Sequence, residues 1–158
     1  MPIWDSVARS IAAQVREYDW DGTIGAAAAD IDALLTAADC EDIAHAFWQQ
    51  YRSLPATKKM LEGIEDVWLQ RQLARSARYM RMKYSAPFDE QWGRSATKHA
   101  EMTRETGVPL AALLSALAFA HARTLAILET RVEGDVARMR RLSDVVQRLA
   151  LIEADVMA

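Results

Sequence analysis

Residues Arg94 to Leu128 read RSATKHAEMTRETGVPLAALLSALAFAHARTLAIL. The stretch sets His99 inside a helical pattern, breaks at Thr106-Gly107-Val108-Pro109, and then opens a long apolar run that carries His121. Glycine ends helices because it enters the left-handed region without steric cost, and proline fits the first turn of the helix that follows. The break therefore predicts one helix over about 90–105 and a second over about 110–131. The two histidines pose the functional question: ligand for a bound metal, or core residue of a helical bundle.

Working outward, the same periodicity recurs along the chain. Ile3, Val7, Ile11 and Val15 form one apolar stripe that ends near Gly22. A second helix is expected over about 24–37. A third opens at Asp39-Cys40-Glu41-Asp42, whose acids suit the positive end of a helix, and stops before Pro55. Residues 56–66 read as an irregular connection. An Arg-rich helix runs from Val67 to Ser85, and Pro87 breaks the chain after it. Beyond Gly134 a last amphipathic helix covers 135–156. No strand pattern occurs, which makes about seven helices in one all-α domain spanning 1–158.

The totals agree with that organisation. A chain of 158 residues fits one domain, and 51% hydrophobic content with only 6 Gly and 4 Pro suits long helices. A net charge of −3 gives no global reason to bind nucleic acid or anionic lipid. The single Cys40 excludes an internal disulfide and a multi-cysteine metal site, which implies a reducing, cytoplasmic setting. The N-terminus has no leader pattern, and no apolar window is expected to approach a membrane span of about 18 residues.

Several motifs weaken on chemical inspection. RETGVPLAALLSAL has the outline of a helix-turn-helix, but its second helix offers Leu110, Ala111, Ala112, Leu113 and Leu114 where a reading helix needs polar groups. A di-iron bundle site would need several inward Glu residues and Glu-x-x-His pairs, and none is present. Glu41 and His45, four apart, supply too few ligands and read as a surface pair. Cys40 has no histidine near it in sequence to form a reactive pair. Arg71, Arg75, Arg78, Arg81 and Lys83 lie on one helix with no acid among them. They could contact phosphate or carboxylate, and we read them as a solvated face. His121 lies on the stripe Leu114, Leu117, His121, Leu125, Leu128 and so faces the core or an interface.

Three segments in order carry a family resemblance: AFWQQYRSLP, the helix before APFDEQW, and WGRSATKHAEMTRETGVP. Together with the extra N-terminal helix, they resemble the sensor globins, also called the protoglobin or globin-coupled sensor family. The resemblance implies a globin-like fold with an additional N-terminal helix and a signal-transduction input module, not an enzyme. It implies haem b as the usual cofactor, with oxygen or redox sensing as the usual input. It also implies a homodimer through the last two helices and a downstream signalling protein, because the sequence ends at Ala158 without an output domain.

The departures from the family are as informative. The family's iron-ligating His sits eleven residues after the aromatic matched by Trp92 and four before the glycine matched by Gly107; here that position is Thr103. His99 lies one helical turn earlier. In the family register Thr103, a poor iron ligand, is expected to face the pocket centre and His99 its edge. The family's ligand-stabilising Tyr is matched by Trp48, whose indole only donates and takes more room. Phe47, Trp48 and Tyr51 are expected to point into the cofactor space and narrow it. The expectation is a standalone sensor that lacks haem or holds it differently. One alternative is a haem sensor with His99 as proximal iron ligand, and another is a helical interaction module outside the globins.

Overall fold

The computed structural model describes residues 11–158, all of whose regular elements are helices. In chain order these are α1 (Ile11–Tyr18), α2 (Ile24–Leu34), α3 (Ala37–Ser53), α4 (Pro55–Leu61), α5 (Asp66–Ser85), α6 (Glu90–Glu105), α7 (Leu110–Val132) and α8 (Val136–Met157). The predicted stripe from Ile3 lies partly outside the described residues.

Local chemistry sets the boundaries. Thr36 and Asp39 form a reciprocal capping box at the start of α3: Thr36 Oγ1 accepts from the Asp39 backbone N–H, and the Asp39 carboxylate accepts from the Thr36 N–H. Asp89 caps α6 by accepting from the Gln91 N–H, and Asp135 caps α8 by accepting from the Arg138 N–H. Gly107 (φ 74°) makes the left-handed turn between α6 and α7. The connection expected to be irregular instead contains α4, because Pro55 sits at the first helical position, where a missing N–H costs nothing. The Thr57 hydroxyl, fully buried, donates back to the Tyr51 carbonyl and locks this short helix to the end of α3.

α3 crosses the centre of the molecule and packs most extensively on α7, then on α5; α8 covers α7, α2 and α6. Ile24, Ile31, Ile43, Leu128, Leu142, Leu149 and Ile152 are wholly buried where these helices meet. Trp92 is also wholly buried and donates its indole N–H to the Pro87 carbonyl at 2.8 Å, which fixes the corner between α5 and α6. Ion pairs tie the helices from outside: Arg131 to Asp39 at 2.9 Å, Arg123 to Asp42 at 2.6 Å, and Arg138 to Asp30.

α7 departs from expectation in one respect. By length and composition it alone among the described residues is apolar enough to cross a membrane. In this fold it packs on α3 and α8, and its remaining face keeps Leu110, Ala111, Ala118, Phe119, Ala122 and Ala126 exposed.

Candidate functional site

The centre of the bundle, between α3, α5, α6, α7 and α8, holds a small, partly open space. Its volume is about 60 Å³, and its walls include Phe47, Trp48, Ser76, Tyr79, His99 and His121. Trp48 arrives from α3 and donates its indole N–H to Ser76 Oγ on α5 at 3.0 Å, a bond that crosses the upper wall. The indole packs edge-on against Phe47, Tyr51 and Trp68 at 5.5–5.8 Å between ring centroids. Phe47 and Tyr51 stack at 5.7 Å. Of the three aromatics read from the sequence, Phe47 and Trp48 line the space, while Tyr51 buttresses them from behind.

His99 projects from α6 onto Tyr79 of α5, with ring centroids 5.9 Å apart. Burial, reinforced by the nearby charges of Arg75 and Lys98, holds its pKa below the ordinary value, so the imidazole is neutral at pH 7. Thr103 sits one turn further along and does not line the space; its hydroxyl donates to the His99 carbonyl at 2.8 Å. The helix thus turns His99 inward and occupies the Thr103 hydroxyl with its own backbone.

Beneath the space lies a buried polar cluster. Lys83 on α5 and Glu153 on α8 have fully buried side chains, with Nζ 2.7 Å from Oε1. Tyr79 donates its hydroxyl to the other carboxylate oxygen, Oε2, at 2.8 Å. His121 on α7 places Nε2 3.3 Å from Lys83 Nζ and 3.4 Å from Glu153 Oε1. Burial alone would neutralise both ions. The attraction between them wins, so Lys83 is raised and Glu153 lowered, and both stay charged. The Tyr79 hydroxyl is pushed well up by burial and by the adjacent carboxylate, and remains a donor. The Tyr84 hydroxyl is buried nearby and has no hydrogen-bond partner among the described residues.

Sequence reasoning missed most of this cluster. Lys83 was grouped with the solvated arginines, yet it is wholly buried. The available signal was on the partner helix: Val146, Leu149, Ile152 and Met157 mark an apolar face of α8, and Glu153 falls within it. An acid on an apolar face calls for a buried cation, and Lys83 follows Tyr79 by four residues on one face of α5.

A porphyrin is a rigid plate that needs a gap between the helices above and below it. Here the Tyr79 and His99 rings already meet across the gap between α5 and α6. The remaining 60 Å³ compares with about 300–1,000 Å³ for sites that hold cofactor-sized molecules. The residues in this arrangement do not fit haem.

Comparison with known proteins gives this geometry a context. Residues 23–158 match the model of the protoglobin family. The chain is similar in structure to the globin domain of the Geobacter sulfurreducens globin-coupled sensor, with a TM-score of 0.75 and 18% identity. That likeness covers 92% of this chain and 93% of the other. Among curated protein sequences none matches significantly.

Proposed function

We propose, from the premise that the chain belongs to the protoglobin family, that it is a signal-input module of globin fold that works without haem. The observation that carries this reading is the contact of Tyr79 with His99 over a space of about 60 Å³. The core that a globin devotes to its cofactor is here filled by side chains. Trp48 braces one side through Ser76, and the cluster of Lys83, Glu153, Tyr79 and His121 ties α5 to α7 and α8. Such a module acts by shifting helices and performs no catalysis. Displacement of α5 would be felt at α7 and α8 through the buried ion pair.

Those two helices are also the proposed surface of a homodimer. α7 exposes an apolar face that includes Phe119, and Leu151 on α8 is half exposed. A second copy covering this face would remove it from water. Output then passes to a signalling protein, and the setting is cytoplasmic.

A second reading has one specific observation in its favour. His99 is neutral and lines the space, as a haem ligand must be and do. For His99 to hold iron, Tyr79 would have to leave its ring and the α5–α6 gap would have to open. The test is the absorbance of the protein purified from cells supplied with a haem precursor. A colourless protein is expected; a Soret band in proportion to protein would favour the second reading.

A further inference from the structure

The outer wall of α5 carries a second feature, separate from the central space. A groove of about 700 Å³ runs between α3 and α5, within the range of about 300–1,000 Å³ typical of small-molecule sites. Its floor is apolar, with Leu73 and Cys40 buried there. Arg78 and Arg81 stand on the α5 wall, and Glu41 and His45 on the α3 wall.

The two arginines are poorly neutralised. Arg123, Arg131 and Arg148 each hold a carboxylate at 2.9 Å or less. Among the described residues Arg78 has no ion pair; Arg81 has one, with Asp32 at 4.0 Å, its side chain is half exposed, and it also interacts with the neutral Cys40 thiol. They lie three apart, on adjacent turns, so both guanidinium groups can address one anion. Glu41 across the groove repels a second negative charge and so selects against polyanions. The apolar floor favours a ligand with a hydrophobic body.

We propose that this groove binds an amphipathic monoanion, its carboxylate on Arg78 and Arg81 and its apolar body on the floor beside Leu73. The site goes beyond the reading of the core: it rests on the α3–α5 groove alone and stands or falls independently of whether haem binds.

The experiment is calorimetric titration of the whole chain with 1-naphthoate. Saturable one-to-one binding is expected, weakened at least tenfold in Arg78→Gln/Arg81→Gln and unchanged in Arg71→Gln, a residue on the same helix that does not line the groove. The uncharged 1-naphthalenemethanol should bind at least tenfold more weakly than 1-naphthoate, and pyrophosphate should not compete. Both arginines are exposed, and circular dichroism melts will show the double variant folded as the wild type. No saturable binding at millimolar 1-naphthoate, equal binding of the alcohol, displacement by pyrophosphate, or retention of affinity in the double variant would each overturn the proposal.

Discussion

Lys83 Nζ lies 2.7 Å from Glu153 Oε1, and neither side chain has any exposure to solvent. Removing one partner strands the other charge in an apolar core. Lys83→Met is therefore expected to lower unfolding free energy by about 3–5 kcal/mol. Lys83→Met/Glu153→Leu should recover much of the loss, although Tyr79 then lacks its acceptor, which costs about 1–3 kcal/mol. Urea unfolding of the single and double variants measures both; a single variant within 1 kcal/mol of wild type would show the pair to be solvated.

His99 gives the stability a defined pH dependence. Its folded pKa is lowered from the ordinary 6.5 by burial and by Arg75 and Lys98. Between the folded pKa and 6.5 the unfolded chain binds more protons, so this contribution is complete above about pH 6.5 and is lost as pH falls through the window below it. The slope from one such group reaches at most about 1.4 kcal/mol per pH unit. Urea midpoints from pH 7.5 to 5 should fall more steeply for wild type than for His99→Gln; parallel curves would mean that His99 titrates as if exposed.

Much of this fold was legible because its signals are local. The stripe on α7, Gly107, Pro109 and the acids opening α3 each act within a turn or two of helix. α4 was not legible, because seven residues carry too little periodicity and the bond from Thr57 to Tyr51 depends on the chain doubling back. The aromatic cluster at Phe47, Trp48 and Tyr51 could be read from helical spacing. Glu153 on the apolar face of α8 signals a buried cation, but the identity of that cation is not legible, since Lys83 lies 70 residues away. The inward turn of His99 beside a Thr103 hydroxyl bonded to its own helix depends on how α6 rotates against α5.

Trp48 tests the packing of the core. Trp48→Ala removes an indole wedged among three aromatic rings and its bond to Ser76. Because Trp48 is only partly buried, the expected loss is at the lower end of the range for such truncations, about 3 kcal/mol. Trp48→Phe keeps most of the packing and forfeits about 1 kcal/mol for the hydrogen bond. Thermal unfolding that ranked the two variants in the opposite order would contradict the bracing role.

The exposed face of α7 is the proposed dimer surface. Phe119 is 42% exposed, and Phe119→Glu places a charge where a second copy would sit. Light scattering at micromolar concentration should give a dimer for wild type and a monomer for the variant. A wild-type monomer would remove the homodimer from the account.

The central claim is that side chains occupy the cofactor's place, and haem titration of wild type, His99→Ala and Thr103→Ala tests it most directly. All three proteins should show only weak, non-stoichiometric changes in the haem absorbance. Tight one-to-one binding by wild type and Thr103→Ala that disappears in His99→Ala would contradict the account and establish His99 as an iron ligand.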